Sequence, residues 1–146
     1  MNVIGVDLGV RSVHVSTATN ASTISVGKSN RGEELRLLAI QFQSIFCQRD
    51  TIAFIEEPLM AGPRNIRTAL QLAQVAGALM TTVPSYFVPV ATWKKEIVGK
   101  GNAKKEEVAE FLKAHHAFGH ALHSQDLIDA TCIRLYGERQ IAKIRT

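Results

Sequence analysis

Hydrophobic periodicity changes along this chain in an order that few folds accommodate: three short strand-like segments come first, and helical stripes then alternate with further strands. Asn2 to Asp7 is a short apolar run closing on Asp7-Leu8-Gly9, which reads as a buried strand and a turn. Val13, Val15 and Thr17 alternate with more polar neighbours, Asn20-Ala21-Ser22 makes a turn, and Thr23 to Val26 forms a third strand. Connections this short imply an antiparallel meander. After Gly32, the residues Leu35, Leu38, Ala39, Phe42, Ile45 and Phe46 fall on one stripe, the pattern of an amphipathic helix over 33–48. Thr51 to Glu56 is a strand stopped by Pro58, and 64–82 is a long helix rich in small residues. Tyr86 to Val90 is a short strand between Pro84 and Pro89. Asn102 is placed to cap a helix carrying Val108, Phe111 and Leu112, and a last helix runs from Ser124 to Ile141. The order βββαβαβαα predicts one mixed α/β domain over residues 1–146: an antiparallel three-strand meander extended by parallel strands, with helices packed on the sheet.

The 146 residues are enough for a sizeable core, because a domain of this length buries roughly 68–70% of its unfolded surface. Hydrophobic residues make up 46% and charged residues 21%, ordinary globular values that argue against disorder or a coiled coil. No apolar run reaches the ~18 residues of a membrane span, and no secretory leader is read at the N-terminus. Cys47 and Cys132 lie far apart, each in an apolar helical pattern, which predicts free buried thiols and an intracellular, cytoplasmic setting. The net charge of +4 permits a polyanionic partner without specifying one.

Four acids carry the chemistry. Asp7 ends the first strand, Glu56 ends the strand after the first helix, and Asp126 and Asp129 stand one turn apart on the last helix, hence on one face. Two strand ends and a helix face can converge at the edge of a sheet, where such a cluster repels itself unless cations neutralise it. All-oxygen ligands favour Mg²⁺ or Mn²⁺, and a pair of such ions about 3.5–4 Å apart suits phosphodiester hydrolysis. Read singly, Asp7 is equally a turn residue, Glu56 equally a strand exit, and Asp126 equally a helix-dipole charge. Glu57 competes with Glu56 but must point to the opposite face of a regular strand. Asp129 is the most informative, because it sits among Leu127, Ile128, Ala130 and Cys132, where an unpaired carboxylate is costly.

Lys94, Lys95, Lys100, Lys104 and Lys105 share one segment with a single acid, Glu96. This is either a solvated surface run or a phosphate-binding loop made flexible by Gly99 and Gly101. Trp93 beside it is a candidate for stacking on a base, although a lone tryptophan is commonly a packing residue. His115, His116, His120 and His123 raise a zinc site, but no cysteine stands near. His123, three residues before Asp126, is instead a candidate alternative or supporting metal ligand. The helix over 64–82 is apolar nearly all round, which implies burial on two sides and a subunit interface.

The ordered set Ile4-Gly5-Val6-Asp7-Leu8-Gly9, Phe54-Ile55-Glu56, Trp93 to Lys105 and Asp126-x-x-Asp129-Ala130 resembles the RuvC-type Holliday-junction resolvases and covers most of the chain. The resemblance implies a ribonuclease-H-like fold with helices on both faces of the sheet, and a homodimer that cuts two opposed strands of a four-way DNA junction. It implies Asp7, Glu56, Asp126 and Asp129 as the ligands of two Mg²⁺ ions per active site, with Mn²⁺ a substitute. Lys94 and Lys105 would steady phosphate charge at the cut, and Lys95, Lys100 and Lys104 would bind DNA. One departure is Leu59, which stands where bacterial relatives often carry a base-unstacking aromatic; Met60 is a candidate replacement. The chain is also shorter than the typical bacterial enzyme, as in a compact, phage-type member, whose place of action would be the host cytoplasm.

Three other readings share part of this pattern. Actin-like and sugar-kinase ATPases also carry Asp-Leu-Gly after a strand, but they clasp a nucleotide between two such domains, so no nucleotide cofactor is expected. A noncatalytic nucleic-acid-binding relative would present four acids to a phosphate backbone that they repel. A ribonuclease-H-like nuclease acting on flaps or RNA-containing substrates shares the first three motifs, and only the lysine segment and the interface helix favour junctions.

Overall fold

The computed structural model describes residues 1–58, 66–115 and 124–146. Strands β1 (Asn2–Leu8), β2 (Ser12–Ser16) and β3 (Ala21–Ser25) are followed by helix α1 (Arg31–Phe46), β4 (Thr51–Glu56), α2 (Ile66–Met80) and β5 (Ser85–Val88). A short α3 (Val90–Trp93) runs into a π-helical turn over Lys94–Val98, and α4 (Lys105–His115) and α5 (Gln125–Arg145) complete the order. The sheet runs β3-β2-β1-β4-β5. β1 pairs antiparallel with β2, and β2 with β3; β1–β4 and β4–β5 are parallel. The mixed sheet of the ribonuclease-H-like fold, meander plus parallel strands, is therefore present.

Alternation along the strands divides the core into two layers. Ile4, Val6, Val13, Val15, Ala53 and Ile55 face α1 and α2, where Leu38, Phe42, Val75 and Leu79 cover them. Phe54 and Val88 face the other way, onto Trp93, Ile97, Val108, Leu112, Ile128 and Ile133. Helices thus cover both faces. The second layer matters for chemistry: odd residues of β1 and even residues of β4 and β2 look toward α5, so Asp7, Glu56 and His14 share its side.

Two glycines let α5 lie hard against that face. A Cβ on Gly5 would overlap the Ala130 carbonyl oxygen and the Arg134 amide, and a Cβ on Gly137 would overlap the Phe54 ring. Backbone-to-backbone contact at Gly5 is the use of a glycine within a strand. Beside it, the Thr131 hydroxyl (3.0 Å) and Arg134 Nε (3.2 Å) both donate to Ser16 Oγ, tying α5 to β2.

Several boundaries differ from the sequence reading, each for a local reason. The β2–β3 hairpin turns at residues 17–20, since the Thr17 amide donates to Asn20 O (2.7 Å) and the Thr17 hydroxyl accepts from Asn20 N; Ala21 and Ser22 already belong to β3. Asn30 caps α1 by accepting from Glu33 N, so this helix starts two residues early. Asn102 lies in the turn before α4, which begins only at Lys105. β5 ends at Val88, and α5 continues past Ile141 to Arg145. The lysine segment is not an open loop. Buried Trp93 and Ile97 anchor it as a helical turn, which Gly99 closes at φ +99° while donating to the carbonyls of Lys94 and Lys95.

Candidate metal centre

β1 and β4 run parallel and side by side, with Val6 opposite Ile55. One residue further on, Asp7 and Glu56 leave the sheet at the same edge and on the same face. α5 crosses β1 at Gly5, which carries its first turns, with Asp126 and Asp129, over that edge. The four acids do converge: burial first, then the charges of Glu56, Asp129 and Asp126, push the Asp7 carboxyl up to about 9, and Asp126 also lies within hydrogen-bonding reach of it. Burial likewise raises Glu56 and Asp129 above the ordinary carboxylate range, with the surrounding acids adding to the shift. Glu57 is exposed beyond the strand, so the choice between neighbours falls to Glu56.

Each outer carboxylate has a protein donor beside it, from another element for Glu56 and Asp126 and from its own helix for Asp129. Trp93 Nε1 donates to Glu56 Oε2 at 2.8 Å. Gln125 Nε2 donates to Asp129 Oδ1 at 2.8 Å. His14 Nε2 stands 3.4 Å from Asp126 Oδ2, and burial lowers its pKa despite that neighbour. Trp93 is fully buried, so its expected use as a stacking platform for a base is corrected: the ring packs in the core and its N–H orients Glu56. Behind Asp7, Arg31 donates to Val10 O (2.7 Å) and Gln71 O (2.8 Å), and Glu34 accepts from Arg11 (2.5 Å). Together they clamp the β1–β2 turn to α1 and α2.

Of the lysines, Lys94 and Lys105 come nearest the acids. The charge of Lys94 bears on both Glu56 and Asp129, and that of Lys105 on Asp129. Lys94 Nζ is steadied by Ala103 O at 3.0 Å. Lys95, Lys104 and Lys105 are exposed, while Lys100 is 3.3 Å from Glu107. Glu96, the one acid of the segment, turns to α5, where Gln140 and Lys143 donate to it at 2.9 and 2.7 Å. Glu96 is thereby turned away from the lysines of its own segment.

The donor set is all oxygen, crowded and short of cationic partners, which is the chemistry that fits a hard divalent cation. It is not a closed shell. Among the described residues no three His, Cys, Asp or Glu side chains stand ready-made around one point. Pro58 and Leu72 flank Asp7 and Glu56 in an open cleft of about 230 Å³. A larger hollow of about 390 Å³ at the far end of β1 brings only one carboxylate, Glu138, and offers no comparable chemistry. His115 is turned back onto Phe111, its Nδ1 2.8 Å from the Phe111 carbonyl. His116, His120 and His123, with Leu59 and Met60, lie outside the described residues. Three contributors escaped the sequence reading: Gly5, Gln125 and His14. Only Gly5 left a local sign, a glycine inside an apolar strand.

The chain matches the family described as Crossover junction endodeoxyribonuclease RuvC over residues 3–136. It is 26% identical over 123 residues to the RuvC of Chloroherpeton thalassium, covering 81% of this chain and 66% of that protein. It is 29% identical over 145 residues to the RuvC of Chlorobaculum parvum, covering 89% and 77%. In fold it is similar to the Thermus thermophilus RuvC structure, with a TM-score of 0.73 at 19% identity over 92% of each chain. The match to T. thermophilus RuvC in complex with Holliday junction substrate has a TM-score of 0.78 at 20% identity, over 92% of this chain and 91% of that one. An ordered set of acids on a ribonuclease-H-like sheet and a family match across nearly the whole length agree: the chain belongs to the RuvC family of crossover junction endodeoxyribonucleases.

Proposed function

We propose that residues 1–146 work as one nuclease domain that, as a homodimer, resolves four-way (Holliday) DNA junctions by Mg²⁺-dependent phosphodiester hydrolysis. The observation that carries the reading is the Asp7 carboxyl, buried and raised to about 9 among three further acids, an arrangement costly to the protein alone and relieved by cations. Asp7, Glu56, Asp126 and Asp129 hold two Mg²⁺ ions, for which Mn²⁺ substitutes, and His123 is an additional candidate ligand. Ions held there would supply Lewis acidity and neutralise charge on the attacking and departing oxygens. The chain's own part is placement. Asp7 is central, Trp93 aims Glu56, and Gln125 aims Asp129. Lys94 and Lys105 offset phosphate charge beside the cut, and Lys95, Lys100 and Lys104 engage the DNA backbone electrostatically. Its place of action is the cytoplasm, which suits the free thiols of Cys47 and Cys132; no helix of the described residues is long and apolar enough to cross a membrane.

Exposed residues on α2 support the homodimer. Ile66 and Leu70 are 44% and 58% exposed and align with exposed Ala73, Gly77 and Met80 along one face. A Cβ at Gly77 would meet nothing within 4 Å, so a lone subunit has no packing need for glycine there. Leu70→Glu is expected to shift the protein from dimer to monomer in sedimentation velocity and to replace paired cuts by single nicks; a persisting dimer moves the interface elsewhere. Trp93→Phe keeps a ring in the core but removes the donor to Glu56. It should slow cleavage about ten- to a hundredfold, as loss of a ligand-orienting partner does, and an unchanged rate removes Trp93 from the machinery.

The reading is tested by offering matched four-way, flap, duplex and RNA–DNA substrates with and without Mg²⁺. Cleavage confined to the four-way junction and to Mg²⁺ is expected. Equal cutting of all four refutes junction selectivity, and preference for the flap or the hybrid favours the broader ribonuclease-H-like nuclease.

A further inference from the structure

A row of side chains crosses the sheet at the edge where the acids meet. β2 sets His14 directly opposite Asp7, and β3 sets Thr23 directly opposite His14. Residues paired in this way point to one face, so the imidazole looks to the same side as Asp7. His14 is only 9% exposed, although the α1-facing core of β2 is already filled by Val13 and Val15. Its Nδ1 is 2.9 Å from Thr23 Oγ1, and its Nε2 is 3.3 Å from Ser12 Oγ and 3.4 Å from Asp126 Oδ2. The tautomer that satisfies these contacts carries its proton on Nε2: the Thr23 hydroxyl donates to Nδ1, and Nε2–H faces the carboxylate.

The other outer carboxylates are steered in the same way, Glu56 by the Trp93 indole and Asp129 by the Gln125 amide. Asp126 differs in being more than half exposed and at the start of α5, and the donor beside it, His14, comes from a strand across the sheet face. We propose that His14, anchored by Thr23, is a positioning residue that sets the Asp126 carboxylate toward Asp7 for cation binding. This rests on the four acids being the metal ligands, and the experiment below separates failure of the two ideas.

Mn²⁺ binding is measured by calorimetry without DNA, and junction cleavage is followed as Mg²⁺ is raised, for wild type, His14→Ala, His14→Gln, Thr23→Val and Asp7→Asn. His14→Ala should weaken Mn²⁺ binding about tenfold, the lower range for an outer partner of a ligand. Its cleavage should need correspondingly more Mg²⁺ and approach the wild-type rate at saturation. His14→Gln, whose amide can present an N–H near the position of Nε2, should restore most of the affinity, and Thr23→Val should lose part of it. Wild-type Mn²⁺ affinity in both His14→Ala and Thr23→Val overturns the proposal, as does lost cleavage that no Mg²⁺ concentration restores. If His14→Ala fails to fold, unchanged affinity in Thr23→Val overturns it alone. If Asp7→Asn binds Mn²⁺ as wild type does, the metal-site reading itself fails and the role of His14 falls with it.

Discussion

Asp7→Asn is expected to lose junction cleavage by about a thousandfold or more, equivalent to roughly 4 kcal/mol of transition-state stabilisation, while unfolding at a higher temperature than wild type in metal-free buffer. The two effects have one cause. Asp7 is surrounded by three acids and little water, so its negative charge is unfavourable until cations arrive. Its folded pKa of about 9 stands above the ordinary 3.8, so between those values the native state keeps a proton that the unfolded chain has released. Stability in metal-free buffer should therefore fall as pH rises through that window, with Glu56 and Asp129, shifted the same way, adding to the slope. Asparagine carries no charge and removes the Asp7 share. Added Mg²⁺ should raise the wild-type melting temperature by mass action and move the variant little. Junction binding, which we assign to the lysines, should survive the substitution. Retained cleavage, or a variant less stable than wild type at pH 8 without metal, contradicts this account of Asp7.

Gly5→Ala should have the largest effect on stability. The added methyl would meet the backbone of α5 at Ala130 and Arg134, not the tip of a flexible side chain, so helix and strand must separate. Overpacking of this kind costs about 3 kcal/mol or more, a shift of roughly 10 °C in a domain of this size. Loss of metal affinity should follow even well below the melting temperature, because α5 carries Asp126 and Asp129 while β1 carries Asp7. A variant with the wild-type melting temperature and Mn²⁺ affinity would show that this contact does not set the site.

The parts of the fold legible in the sequence were those with a period. The apolar run of β1, the alternation in β2, the stripe of α1 and the one-turn spacing of Asp126 and Asp129 are local patterns, and they place the acids on recognisable strand ends and one helix face. What stayed hidden depends on neighbours distant in the chain. That Glu56 stands beside Asp7 follows from β4 pairing with β1 instead of with β3, a choice made by packing on both sheet faces. His14 could be matched to Asp7 only by knowing the β1–β2 register, and to Thr23 only by knowing that the β2–β3 turn lies at residues 17–20, earlier than its Asn-Ala-Ser signal implied. Trp93 among lysines resembled an exposed anchor, yet Ile97 four residues on gives the pair a buried face that the charges conceal.

The central claim, that Asp7, Glu56, Asp126 and Asp129 form one cation site, is tested most directly by anomalous diffraction from crystals soaked in Mn²⁺. The account predicts anomalous peaks lying among these four carboxylates in wild type and absent from that place in Asp7→Asn. Mn²⁺ bound elsewhere on the protein, with none among the four acids, would contradict it.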